Sequence, residues 1–439
     1  MAEDDKVIYN FHNGFTLERM PGKESTFIFR NKEGLITAFI EKCNDVITSC
    51  REYQDRRLPH KVLNSIARFV KDSGSRLSKE AAQALGMSII RFGNGREIYL
   101  TSSELTSSAL KPFFLNDKNV TIIVNKLKIH NLDVPKYSRD CVLDLQSAKI
   151  KRLTVGEGCR IDIDLRGNHV IKSLKVKKNY DGKLFLSHCG MKRLYIDDDA
   201  RAEITYVSGE QVADIELGNN FGGNVNLKNA YLHNFKTGNN FHAGLYVNMC
   251  IFYRYIEIGD NSSSNIEMSS VFARHLQIGN GYSGHLFGSS VCSRQGIRSV
   301  YIRNNFSGYL DLSAARTVQR LEVGRGASGT VVLAACPSIR LVKFDEDFSG
   351  VANLNESGII YVRAYKNCTG RFELSNCPNL TLIKMPAEGG YKIIGAPQPV
   401  KTETSGGYVY FNFIRRDLPS EYFSGRLKRV FLFFRNLFS

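Results

Sequence analysis

No run of eighteen consecutive apolar residues occurs in this 439-residue chain, which excludes a membrane-spanning helix of the ordinary kind. The first ten residues, MAEDDKVIYN, are acidic and contain no apolar stretch, so no cleaved secretion signal is expected. Tryptophan is absent. No G-x-S-x-G, H-E-x-x-H or P-loop pattern is present, so the serine-hydrolase elbow, the zincin helix and the Walker phosphate loop are not expected. Acids are scarce relative to bases: 43 Asp and Glu stand against 59 Lys and Arg, a formal net charge of +16. That excess favours an acidic partner, whether a nucleic acid, an anionic membrane or a polyanionic glycan.

What the chain has in abundance is repetition. Stretches such as IELGNNFGGNVNLKNA, IEIGDNSSSNIEMSS, YIRNNFSGYLDLSAA and LEVGRGASGTVVLAAC recur with leading residues Leu153, Leu174, Leu194, Ile215, Phe235, Ile256, Leu276, Val300, Leu321, Leu341, Tyr361 and Leu380. Their separations are 20 or 21 residues, except for 24 before Val300 and 19 before Leu380. A period of this size marks a solenoid whose units bury their apolar faces only by stacking. Within a repeat, positions 1, 3, 11 and 13 are apolar, which predicts two short strands with alternate residues inward. Position 7 is often aromatic (Tyr180, Phe221, Phe241, Tyr282, Phe306), an internal ladder once coils stack. Cys189, Cys250 and Cys336 share the sixteenth slot with Ala and Val, so they read as small buried thiols, not as disulfide or zinc sites. Glycine at position 4 and again before the second strand is expected to supply positive φ at the corners.

Residues 1–110 have a different texture. Glu33 to Tyr53 carries Ile36, Phe39, Ile40, Cys43, Val46, Ile47 and Cys50 at helical spacing, and His60 to Lys71 repeats that pattern. Ser78 ahead of KEAAQAL reads as an N-cap; SIIRF and REIYL read as strands. We therefore expect a helical or α+β head at 1–110, a repeat domain at 111–390 with atypical entry coils at Val120 to Val134, and a cap at 391–439. The fold class is mainly β: a parallel β-solenoid of about 12 coils, with a C-terminal amphipathic helix.

The openings VIKSLKV, MKRLYI and VQRLEV fit L-x-x-L-x-L, with Asn220, Asn240, Asn261 and Asn305 following, and CPSIRLVKF and CPNLTLIKMP are cysteine-containing coils. Over roughly residues 150–390 the chain resembles leucine-rich repeats, including a bacterial surface-antigen subclass. That resemblance implies a bacterial origin and a horseshoe as the competing fold. The second half of each coil departs from it by alternating like a strand, which favours the β-solenoid, with two or three strands per coil.

Two surfaces stand out. The outward position 2 reads Lys175, Tyr195, Glu216, Lys236, Glu257, Gln277, Tyr301, Glu322, a ladder of alternating partners that stabilises the sheet. Just before the first strands lie Arg152, Lys172, Arg193, Arg254, His275, Arg298, Arg320 and Arg340, interrupted by Asp214 and Asn234. A one-sign row of this kind either binds an acidic partner or keeps solenoids from associating laterally. In the tail, Leu427, Phe431 and Phe434 share a helical face while Arg426, Lys428, Arg429 and Arg435 lie largely off it. Such a helix suits either a lid on the solenoid or an anionic membrane surface.

Catalysis has little to stand on. Glycoside hydrolysis needs two carboxylates at set spacing, and outward acids on neighbouring coils are separated by Lys or neutral residues. Asp162 and Asp164 share a strand with no matching pair expected on adjacent coils. Asp197 to Asp199 and Asp345 to Asp347 fall in turns. The expectation is a non-catalytic solenoid scaffold, without metal or cofactor, that binds a protein or an acidic polymer or membrane. It would be cytoplasmic or exported without a cleaved signal, by analogy as a bacterial secreted effector. The alternative is a carbohydrate-active β-helix.

Overall fold

The computed structural model describes residues 7–413 apart from 12–14, 22, 24, 34–35, 44–45, 53–59, 102–103, 116–118, 126–129, 208–210, 290–295 and 314. The protein is mainly β, a parallel β-solenoid of about a dozen coils. The chain divides into two compact units, Met1–Arg298 and Ser299–Ser439.

In the first unit each coil supplies one strand to each of two parallel sheets. The first sheet runs from Asn131–Val134 to Phe272–Ile278 and the second from Val120–Ile123 to His285–Ser289. Arg152 pairs with Ser173, and Ser173 with Arg193, so equivalent residues stack in columns along the sheet, about 4.8 Å apart. The second half of every described coil is a strand, with no helix on it, so the horseshoe is not the fold. Asn220 and Asn261 sit exposed on turns, not inside the coil.

Alternation builds the core. Leu153, Leu174, Leu194, Ile215, Phe235, Ile256 and Leu276 form an inward column, all essentially buried. Tyr180, Phe221, Phe241 and Tyr282 are fully buried at the first corner. Phe221 and Phe241 stack with centroids 5.9 Å apart at 19°, and each such ring contributes about 1.5–3 kcal/mol by leaving water. The two tyrosines keep their hydroxyls satisfied: Tyr180 donates to the Ile161 carbonyl (2.7 Å) and Tyr282 to that of Ser264 (2.8 Å). Cys250 donates to the Leu227 carbonyl at 3.4 Å, and burial pushes its thiol pKa up to about 11. These thiols are core groups, as their slot implies.

Gly223, at the start of a second strand, has the positive φ expected of a corner glycine, 98°, but the position-4 glycines act differently. They do not have positive φ. A Cβ on Gly259 would lie 2.0 Å from the Gly238 carbonyl oxygen; here glycine allows coil backbones to touch. The left-handed turn falls two residues later, on Asn179, Asp199, Asn220, Asn240 and Asn261, with φ of 55–60°. Asn and Asp tolerate that conformation because their short side chains bond locally. Here they bond up the stack: Asn220 Nδ2 donates to Asp199 Oδ1, and Asn240 Nδ2 to Asn220 Oδ1, each at 2.8 Å.

The helical reading of Glu33 to Tyr53 is corrected. Ile36–Cys43 and Val46–Glu52 are antiparallel strands, with Ile40 opposite Cys50. The apolar set satisfies a helical period, but Ala38 and Ile40 also alternate inward, both buried. The Ile, Val and Thr content favours the sheet. The helix at His60–Ser73 forms as expected and buries Val62, Ile66, Ala67 and Val70. Ser78 caps the helix Lys79–Leu85 by accepting from Ala81 N at 3.1 Å. SIIRF and REIYL supply the strands Ser88–Arg91 and Glu97–Leu100. They pair antiparallel with each other, and Ser88–Arg91 pairs antiparallel with Val120–Ile123, which closes the starting edge of the second sheet.

In the second unit the first sheet runs from Ser299–Ile302 through Leu382–Pro386. Leu341 pairs with Arg320, and Val342 with Leu321; Val362 and Ile383 follow in register. The leading apolar residues are therefore Val342, Val362 and Ile383, not Leu341, Tyr361 and Leu380. Leu341, Tyr361 and Leu380 are themselves apolar, so composition does not distinguish them from the inward leaders one to three residues later. An antiparallel hairpin, Lys401–Ser405 and Tyr408–Asn412, turning on Gly406 and Gly407 at φ 57° and 75°, closes that sheet against Leu382–Pro386.

Candidate functional site: a basic corner of the first sheet

The first coils enter the first sheet through a solvent-facing corner at Lys151–Arg152, Lys172 and Lys192–Arg193. In the first unit one in-register column runs Asn131, Arg152, Ser173, Arg193, Asp214, Asn234, Tyr255, His275. Its first four members open their strands, whereas the last four lie inside longer strands that begin at Gln211, Tyr231, Ile251 and Phe272. The residue ahead of this column is His130, Lys151, Lys172 and Lys192 on the first four coils. Backbone bonds lock that row coil to coil: Lys172 N donates to the Lys151 carbonyl at 2.8 Å, and Lys192 N to that of Lys172 at 2.9 Å. Lys151, Arg152, Lys172, Lys192 and Arg193 are all exposed. None takes part in an ion pair among the described residues, whereas Arg160–Asp181, Lys178–Asp198 and Lys183–Glu203 on the same coils do. Adjacent like charges at strand spacing repel, and salt or a polyanion relieves that repulsion.

Of the eight corner residues expected, the structure brings Arg152, Lys172 and Arg193 together. The expected single column is corrected. Lys172 lies one residue ahead of the column of Arg152 and Arg193, where Ser173 stands. Asp214 follows, accepting from Asn234 Nδ2 at 2.6 Å. Arg254 falls in a register irregularity between Phe252 and Tyr255, whose partner is His275. Arg298 ends the first unit, where Ser299 opens the next strand. In the second unit Arg320 is ion-paired with Glu322, and Arg340 donates to the carbonyls of Pro337 (3.2 Å) and Gly358 (2.9 Å). Lys151 and Lys192 were missed, although the runs KIKRL and MKRL carry them at the same offset as Lys172. Arg426, Leu427, Lys428, Arg429, Phe431, Phe434 and Arg435 lie outside the described residues.

The acids also needed the structure. Asp144 and Asp164 are in register on neighbouring coils of the second sheet, a matching pair the sequence did not reveal. Both are buried and both are engaged. Lys79 Nζ reaches Asp144 Oδ2 at 2.6 Å, tying the head helix to the solenoid. Gln146 Nε2 (2.6 Å) and the Arg166 guanidinium (2.6 Å) hold Asp164. Burial alone would raise the Asp164 pKa, but the hydrogen bonds from Arg166 and Gln146 together hold it below the ordinary value. An acid kept ionised in this way is a tether, not a proton donor.

No family model, no curated protein and no solved structure matches the chain. The fold places it in the architectural class of parallel β-solenoid repeat proteins. No helix among the described residues is long and apolar enough to cross a membrane.

Proposed function

We propose that the protein is a binding scaffold without turnover, whose basic corner at Lys151, Arg152, Lys172, Lys192 and Arg193 holds a linear acidic polymer along the solenoid. The observation that carries this reading is the stack of lysines on consecutive coils with no ion-pair partner among the described residues. A rigid column of cations matches a partner with charge repeated along its length, and binding releases that partner's counterions.

The test is retention of the full-length protein on immobilised heparin, eluted with salt. The triple variant K151E/K172E/K192E should elute at much lower salt. Arg320→Gln and Arg340→Gln, whose cations already have partners, should elute with the parent. Equal elution of the triple variant and the parent would overturn the reading. Anionic vesicles that capture the parent where heparin does not would move the partner to a membrane surface.

One observation favours a second reading, a glycan-directed β-helix. Tyr246 and Phe287 are exposed on the outer face of the second sheet, with Glu267 in register between them. Sugar rings pack on aromatic faces of this kind. A glycan array combined with a reducing-sugar assay separates the two: release of reducing ends would favour this reading over the scaffold.

A further inference from the structure

The outward column of the first sheet changes character in the second unit. It reads Tyr301, Glu322, Lys343, Arg363, Lys384, each in register with the next. Three cations therefore occupy neighbouring strands, about 4.8 Å apart. Lys343 Nζ lies 3.7 Å from Glu322 Oε2, but that carboxylate is shared with Arg320. Arg363 and Lys384 form no ion pair among the described residues.

Their exposure differs: Lys343 and Arg363 are half-buried. Lys384 is only 7% exposed. Its Nζ lies 4.2 Å from the Tyr408 ring centroid and 5.1 Å from that of Tyr410, both on the closing hairpin strand that pairs Lys384 with Tyr410. Arg363 stacks on Tyr365 at 4.1 Å, with Lys343 Nζ 5.2 Å from the same ring. The Arg363 Nε–H is buried and has no hydrogen-bond partner among the described residues. Tyrosine faces attract a cation but do not neutralise it. A buried donor without an acceptor, beside two more cations, is costly unless an anion completes the cluster.

We infer that Lys343, Arg363 and Lys384 form a binding site for a tetrahedral oxyanion, the phosphate or sulfate group of a larger molecule whose remainder lies against Tyr365 and Tyr408. Arg363 supplies directional N–H donors to the oxygens, and the two lysines supply point charge. The site is in the second unit and uses none of the basic-corner residues, so it stands or falls separately from the proposed polymer-binding role.

The experiment is thermal unfolding and calorimetric titration of the full-length protein with inorganic phosphate and inorganic sulfate, against sodium chloride at equal ionic strength. The expected result is a saturable rise in Tm with the oxyanions but not with chloride. Arg363→Gln should raise the half-saturating concentration at least tenfold, and K151E/K172E/K192E should leave it unchanged. Phosphoserine and a sulfated monosaccharide then distinguish the two sources by which one binds more tightly than its inorganic ion. If Lys384→Gln fails to fold, Arg363→Gln and Lys343→Gln, at half-buried positions, carry the test. An equal response to chloride, or an unchanged response in Arg363→Gln, overturns the site.

Discussion

The outward column of the leading strands is built differently in the two units. In the first unit it alternates Glu216, Lys236, Glu257 on successive strands, and Lys236 pairs with Glu257 at 3.4 Å. In the second it runs Lys343, Arg363, Lys384, with tyrosine rings where carboxylates would be. The backbone is the same and the spacing is the same. The difference teaches that coil geometry sets only where charges stand, while the identity of neighbours decides whether a column stabilises the fold or waits for a partner.

The largest effect should come from breaking the spacing that both columns share. A Cβ on Gly259 would sit 2.0 Å from the Gly238 carbonyl oxygen, and one on Gly350 2.0 Å from that of Gly329. Gly259→Ala and Gly350→Ala should each cost about 3 kcal/mol in denaturant unfolding, because the contact is with backbone and cannot rotate away.

Next is the satisfied acid of the second sheet. Asp164→Asn should cost about 2 kcal/mol by leaving Arg166 without its charged partner. The native Asp164 pKa is depressed, so its contribution is present above the unfolded value of about 3.9 and is lost as pH falls through the folded value. Acid unfolding of the parent should therefore steepen below about pH 4, and Asp164→Asn should flatten that limb.

Sign reversal tests the comparison itself. Lys236→Glu places three acids in a column and should cost up to about 1 kcal/mol. Arg363→Glu restores alternation between Lys343 and Lys384 and should stabilise by up to about 1 kcal/mol without oxyanion present. Destabilisation by both would mean that stacking on Tyr365 outweighs charge.

The smallest effect concerns the second turn, where Ala335 is left-handed at φ 53°. Ala335→Gly should gain about 0.5 kcal/mol, the relief of strain less the added freedom of the unfolded chain, measured as a rise in Tm.

Much of this architecture was legible beforehand. Leucine and isoleucine at positions 1 and 3, the aromatic seventh slot and the small sixteenth slot all report an inward environment, and burial leaves few residue types that fit. The corner was legible only in part. Arg152 and Arg193 flank Ser173 in one column, while Lys151, Lys172 and Lys192 stack in the next, and an offset of one residue decides which is which. Solvent accepts a basic residue at either offset, so composition carries no register. The same gap hid Lys343, Arg363 and Lys384, since a leader placed at Leu341 assigns Lys343 to the inside.

The hairpin at Ile36–Cys43 and Val46–Glu52 teaches the same point in the head, where one apolar set satisfied two periods and only packing chose between them. From residues alone come the repeat, its length, the strand character of both halves of a coil and the buried slots, because burial is a local demand made at every coil. Register between coils, the pairing of Asp144 with Asp164 and the clustering of the cations come only from the folded structure. They are relations between residues some twenty positions apart, set by which backbone bonds the stacked coils can form.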